Sequence, residues 1–263
     1  MSQVRDAYDA VAPFYDLFTA HHRYEEWTAT LERLARDAGL RGNRLLDVAC
    51  GTGKSYMPFL ERGYAVTACD ISPAMAAIAE RKAAGRARVE VHDMRALPRL
   101  GEFDLVCCLD DAVNHLLDAA DLVGALRAMR GNLADTGVLV FDANTLMAYR
   151  SFFASATVVQ SDDRVLVWDG RTPAGMPAGG AADAELLALE RDGEWWSCVR
   201  SAHRQRHYPE ETVRASLAAA GLGSVATYGM HLDGSVTDGF DEIANSKAVY
   251  VARASAPDDG ERR

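Results

Sequence analysis

Apolar and polar positions follow two rhythms along this chain. Residues 23–39 (RYEEWTATLERLARDAG) carry Trp27, Leu31, Leu34 and Ala38 at helical spacing, and Gly39 supplies a stop. Short apolar runs then alternate with helical stretches. RLLDVA (44–49), AVTACD (65–70), ARVEVHD (87–93), FDLVCCL (103–109) and GVLVFDAN (137–144) read as strands. Helices are expected over 54–62, broken by Gly63, over 73–84, opened by Ser72-Pro73, and over about 119–131. Strand and helix in turn imply βαβ units and a mostly parallel sheet with helices on both faces.

After Asn144 the rhythm changes. Residues 157–169, 184–191 and 194–206 read as strands joined by turns, an antiparallel insertion over the sheet. RTPAGMPAGGAAD (171–183) reads as a mobile loop. The α/β pattern resumes with a helix at 209–220, a strand near 222–230 and a last strand at 246–253, and SAPDDGERR (255–263) reads as a disordered tail.

Composition narrows the function classes. The 263 residues hold 28 Lys+Arg against 38 Asp+Glu, a net charge of −10 that argues against a general nucleic-acid binder. Hydrophobic content of 49% allows a sizeable core without staples. Cys50, Cys69, Cys107, Cys108 and Cys198 show no CxxC spacing and read as reduced thiols. No run approaches the ~18 apolar residues of a membrane span. The opening MSQVRDAYDAVAPFYD lacks a signal-peptide apolar core. The expectation is a soluble, cytoplasmic protein with a small-molecule partner, no nucleic acid, no membrane and possible homo-oligomers.

The candidate chemistry starts in LLDVACGTGKS (45–55), which follows a strand and opens a helix. A phosphate-binding P-loop would need a glycine where Val48 stands, and a pyrophosphate loop would need one at Tyr56. The third reading is an S-adenosylmethionine (SAM) site. Asp47 suits a cationic ligand, and Gly51 and Gly53 let backbone approach it closely. The second strand ends at Asp70, placed to accept both hydroxyls of a ribose. The third ends in His92-Asp93-Met94, where Asp93 or its backbone can meet an adenine amino group and Met94 and Ile71 can flank the ring.

LLDVACGTG, VTACDIS, VEVHDM, FDLVCCLDDAVNHL and GVLVFDANT together resemble the motifs of class I SAM-dependent methyltransferases. HRQRHYPEETVRASLAAAGL resembles small-molecule members with an antiparallel cover. YDAVAPFYD (8–16) resembles the segment that closes over the cofactor in N-methyltransferases of amino sugars and other small amines. The resemblance implies a Rossmann-like, seven-stranded, mostly parallel sheet with an antiparallel β cap and an N-terminal helical lid. The chain then divides into a lid (1–40), a SAM-binding core (41–146), a cap (147–207), a return to the core (208–254) and a tail (255–263). It further implies that Asp47, Ala49, Cys50, Gly51 and Gly53 line the methionine part of SAM, with Tyr15 closing over it. Asp70 meets the ribose, Ile71 and Met75 lie against the adenine, Asp93 and Met94 complete that pocket, and Leu109 and Asp110 sit beside the sulfonium.

Methyl transfer needs alignment and exclusion of water, and a base only when the nucleophile arrives protonated. The segment Asp110, Asp111, Asn114, His115 is the expected location. His115 is the candidate base, against the alternative of a packed core histidine. Asp110 and Asp111 serve either as a helix cap or as a hold for a substrate ammonium. Tyr8 and Tyr15 share a helical face, with Pro13 expected to break that helix; they are candidate catalytic residues of a lid whose phenols face the transferring methyl, against the alternative of two core aromatics, and Phe14, Tyr24 and Trp27 could add an aromatic wall. Lys54 has no assigned role. His203 and His207 are spaced HxxxH but fall in a strand without a third ligand, so no metal is expected. His21-His22 reads as a solvated turn, Arg204 and Arg206 as a solvated face, and one indole of Trp195-Trp196 as core. The expected activity is methylation of a small-molecule amine. O-methylation, RNA or protein methylation, and SAM binding without turnover are the alternatives.

Overall fold

The computed structural model describes residues 2–255. Helices α1 (Ser2–Phe18) and α2 (Tyr24–Asp37) come first. Then follow β1 (Arg44–Val48), α3 (Met57–Glu61), β2 (Ala65–Asp70), α4 (Pro73–Ala83), β3 (Ala87–Val91), β4 (Phe103–Cys108), α5 (Ala119–Arg130) and β5 (Leu133–Asn144). After α6 (Leu146–Ser151) the insertion supplies β6 (Ala156–Gln160), β7 (Arg164–Gly170), β8 (Ala181–Asp192) and β9 (Trp195–Arg206). The chain closes with α7 (Glu210–Ala219), β10 (Leu222–Met230), β11 (Val236–Asp238) and β12 (Lys247–Ala254).

The main sheet has the order β11-β10-β12-β5-β4-β1-β2-β3. Strands β3 through β5 pair in parallel, while β12, β10 and β11 are antiparallel additions. The sheet therefore has eight strands where the sequence predicts seven. The missed one, β11, is a three-residue edge strand, too short to carry a periodicity. The strand order reverses between β1 and β4, the place where open α/β sheets bind ligands.

Strict alternation builds the core. Leu46, Val48, Val106, Leu139 and Phe141 face α5 and α7 on one side. Leu45, Ala68, Leu105, Val138 and Val140 face α2, α3 and α4 on the other. Each such side chain contributes roughly 1.5–3 kcal/mol on burial. The four insertion strands form a separate antiparallel sheet, β6-β7-β8-β9. Val11 and Phe14 of α1 pack with its Leu166, Trp168 and Leu186 in a third apolar cluster.

That packing corrects four expectations. Helix α1 runs through Pro13, because burial of Val11, Ala12 and Phe14 beside an exposed proline outweighs the ~3 kcal/mol an interior proline costs. The 171–183 loop is pinned, with Met176 buried and its carbonyl accepting from Arg150 Nε and Nη2 at 3.0 and 2.8 Å. Neither indole of the tryptophan pair is core, since Trp195 is 80% and Trp196 42% exposed at the tip of the β8–β9 hairpin. His22 is not free in its turn but lies 3.6 Å from Asp110. The expected tail lies, beyond Ser255, outside the described residues. No helix among the described residues is long and apolar enough to cross a membrane.

The turn after β4 is tied to both sheets by one residue. Asn114, fully buried, accepts from Asn144 N at 2.9 Å and donates to Arg206 O at 2.8 Å. Asn114→Ala orphans the buried Asn144 N–H and should cost about 1–3 kcal/mol, read as a lower urea midpoint at unchanged slope. An unchanged midpoint would remove Asn114 as the tie.

Candidate active site

The ends of β1, β2 and β4 open onto a cleft roofed by α1. The glycine loop forms its floor. Ala49, Gly51 and Gly53 all have positive φ, at 60°, 54° and 86°. A Cβ on Gly53 would fall 2.7 Å from the Tyr56 ring, so this glycine lets Tyr56 pack beneath the loop and donate to Ala79 O at 2.6 Å. Tyr56 thus fills the place a third glycine would hold in a pyrophosphate loop.

Of the candidate cofactor residues, Tyr15, Ala49, Cys50, Gly51, Asp70, Ile71, Met94 and Leu109 line the cleft. Tyr8, Asp110 and His115 line it as well, with Tyr24. Four candidates are off its wall. Gly53 packs over the Tyr56 ring, and Met75 is fully buried. The Asp93 carboxylate is taken by Arg95, through its backbone N at 3.0 Å and its guanidinium at 2.5 Å. Asp47 is buried under the loop and accepts from Ser55 Oγ at 2.5 Å. Phe14 belongs to the third apolar cluster, and Trp27 lies beneath Lys247.

These residues fit SAM. Asp70 accepts one hydrogen bond per oxygen, from Gly51 N and Ser72 N, both at 2.8 Å. A second lone pair on each oxygen remains for a vicinal diol. Burial pushes Asp70 up to about 6 against those two bonds. Burial likewise pushes Asp47 to about 7 beneath the loop, against the Ser55 hydrogen bond. Ile71 and Met94 offer apolar flanks for a ring.

The roof is tied down by charge-assisted bonds. Asp9 Oδ1 accepts from Ser72 Oγ at 2.5 Å and Ala74 N at 3.0 Å. Asp16 accepts from Thr52 Oγ1 at 2.6 Å and pairs with Lys82 at 2.5 Å. Lys54 gains a role here. Its ammonium donates to Thr19 O at 2.7 Å and Thr19 Oγ1 at 3.0 Å, just past the end of α1. There it satisfies carbonyls that the helix leaves open.

At the end of β4 three carboxylates surround one ammonium. Lys247 Nζ lies 2.9 Å from Asp110, 2.5 Å from Asp111 and 3.1 Å from Asp142. Asp142 also accepts from the backbone N of Asp110 and Asp111, at 2.8 and 2.7 Å. Those two residues have positive φ and cap no helix by their side chains. Burial raises Lys247's cost of ionisation, but the carboxylates outweigh it and hold the ammonium protonated. Burial pushes Asp142 up to about 6, whereas Lys247 and His22 overcome burial at Asp110 and hold it well below the usual range. Tyr24 adds a hydrogen bond to Asp110 at 3.1 Å.

Beside this cluster His115 Nε2 lies 2.8 Å from Tyr8 Oη and 3.2 Å from Gln205 Nε2. Burial lowers its pKa from 6.5, opposed by Asp111 and the Arg204 backbone. His115 is therefore neutral near pH 7. Burial raises Tyr8 and Tyr15 well above 10.0, so both remain phenols. His203 bonds to Ser201 Oγ at 2.9 Å and His207 to Glu242 at 3.0 Å. No group of metal-binding side chains occurs among the described residues. Asp142, Lys247 and Gln205 escaped sequence reasoning, although an aspartate inside the apolar run GVLVFDAN is a signal that could have found the first.

Residues 45–137 match the model of a methyltransferase domain family. A putative methyltransferase of Bacillus subtilis (strain 168) is 26% identical over 226 residues, covering 82% of this chain and 86% of its own length. The dTDP-4-amino-2,3,4,6-tetradeoxy-D-glucose N,N-dimethyltransferase of Saccharopolyspora spinosa is 27% identical, covering 79% of this chain and 94% of itself. The solved structure of the sugar N-methyltransferase KedS8 from Streptoalloteichus sp ATCC 53650 superposes with a TM-score of 0.71 at 28% identity, covering 91% and 92% of the two chains.

Two outcomes follow for the cofactor site. Asp70→Ala should weaken SAM binding at least tenfold, about 1.4 kcal/mol, in calorimetry. With Asp70 as the ribose ligand, the hydroxyls would favour its ionised form, and protons would compete with SAM. Affinity should be flat above pH 7 and fall as pH drops through about 6. Affinity that is unchanged in the variant and flat to pH 5 would contradict the ribose assignment.

Proposed function

This chain is a class I SAM-dependent methyltransferase, and we propose that its acceptor is the amino nitrogen of a small natural product or amino sugar. The observation that carries this reading is the charge at the end of β4, where three carboxylates share one ammonium beside the cleft. Excess negative charge in a largely buried site favours a cationic group over a neutral one. Tyr8, Tyr15 and Tyr24 add aromatic faces on the same cleft, which attract ammonium ions. Two of the similar proteins are sugar N-methyltransferases by name, which supports an amino sugar among the amines.

When bound, SAM supplies a sulfonium-activated methyl carbon whose bonding pair returns to sulfur. The protein's own part is to orient the amine and remove its proton. Asp110 holds the ammonium. The nitrogen gives up one proton through the Tyr8 hydroxyl to His115 Nε2, which frees its lone pair for attack. The hydroxyl hands one proton on as it receives another, so its high pKa is no obstacle. The roof formed by α1 excludes water, and alignment of this kind can contribute ~7–11 kcal/mol.

Methyl-labelled SAM should transfer label to nitrogen when the enzyme is given amino sugars or small amines, and not to their hydroxyl counterparts. Label on the hydroxyl series alone would overturn the amine reading. His115→Ala should lower kcat at least tenfold with SAM affinity within twofold of wild type. At saturating SAM the wild-type kcat should hold through pH 7 and fall only below pH 6.5, because the base is lost as pH drops through a lowered pKa. Wild-type turnover in the variant would remove His115 as the base.

A further inference from the structure

We propose that Gln205 is a positioning residue that locks His115 in the tautomer whose lone pair faces Tyr8 and the cleft. The inference rests on the role of His115 given above, but the geometry behind it is independent of that role. Gln205 is buried at the end of β9, and every hydrogen-bonding capacity of its amide is used. Asn144 Nδ2 and Tyr149 Oη both reach its Oε1 at 3.1 Å. Its Nε2 lies 2.6 Å from Asp111 Oδ2 and 3.2 Å from His115 Nε2.

Asp111 decides which way the amide points. An ionised carboxylate only accepts hydrogen bonds, so the atom facing it must be the NH₂ group. One amide hydrogen goes to Asp111, and the other points at His115 Nε2. That nitrogen must therefore be the acceptor. The single ring proton of the neutral imidazole is then left on Nδ1. Tyr8 Oη, 2.8 Å from the same Nε2, then shares that lone pair as the second and shorter donor of a three-centre bond. A histidine free to tautomerise would spend part of its time with Nε2 protonated and unable to take a proton.

The amide is also better suited than an acid to this place. The charged and titratable groups around the His115 ring are Asp111 and Asp110 from the β4 turn, Tyr8 from α1 and His203 from β9. Lys247 and Asp142 stand behind the two aspartates. A further carboxylate would favour imidazolium, which cannot act as a base. A neutral donor fixes the ring without charging it. Asn144 of β5, Tyr149 of α6, and Asp111 with His115 of the turn after β4 come from three separate elements, so this one side chain also carries the register of the insertion to the catalytic segment.

Nitrogen-15 NMR of histidine-labelled protein tests this directly, with the His115 signals assigned by their loss in His115→Ala. Between pH 7 and 8 the wild type should show protonated Nδ1 and bare Nε2. In Gln205→Glu the second donor is gone and a carboxyl faces the ring. His115 should then hold its second proton to higher pH, and the acid limb of kcat should move up by at least one pH unit with SAM affinity within twofold. A protonated Nε2 in the wild type overturns the proposal, as does an unmoved limb in a folded Gln205→Glu protein. If that variant fails to fold, the wild-type spectrum still decides. A bare Nε2 together with full turnover in His115→Ala would uphold the lock while removing the base.

Discussion

One buried ammonium organises the catalytic end of this molecule. Lys247 opens β12, a strand of the antiparallel extension, yet its head group sits among carboxylates from the β4 turn and from β5. Desolvating a lysine and three aspartates costs several kcal/mol per ion unless the geometry repays it. Here the repayment is local and specific. Asp142 turns its carboxylate to two successive backbone N–H groups, which holds Asp110 and Asp111 in left-handed backbone that costs on the order of 1–3 kcal/mol each. The strained turn aims Asp110 into the cleft, sets Asp111 against Gln205, and leads straight into the segment that carries His115.

A second set of charged contacts sets the state of the roof. Helix α1 is bound along its length to the cofactor loops, by Asp9 at the start of α4, by Asp16 at Thr52 and Lys82, and by Lys54 at its end. Its other face is apolar and packs on the insertion sheet. Roof and insertion therefore behave as one layer over the cleft.

The fold was legible because buried parallel strands write themselves as apolar runs, and this end of the cleft because its lining residues stand at strand termini. Ala49, Gly51, Asp70, Ile71 and Leu109 are readable on those grounds. Asp47, Met75 and Asp93 occupy equally good positions in the sequence, but one packing choice each turns them away: Ser55 over Asp47, full burial of Met75, and Arg95 on Asp93. Gln205 and Lys247 were not legible at all. Their partners lie 56 to 137 residues away, and nothing in a local pattern encodes such a meeting. Pro13 and the exposed Trp195 and Trp196 mark the same limit, since local propensity cannot say whether another layer will cover a residue.

The central claim is that the carboxylate-rich cleft selects a cationic acceptor. Calorimetry on enzyme saturated with S-adenosylhomocysteine tests it most directly, by comparing an amino sugar with the same sugar carrying a hydroxyl in place of the amine. The account predicts at least tenfold tighter binding of the amine at pH 7, with the preference lost in Asp110→Asn. Equal binding of the two sugars, or tighter binding of the hydroxyl form, would contradict it.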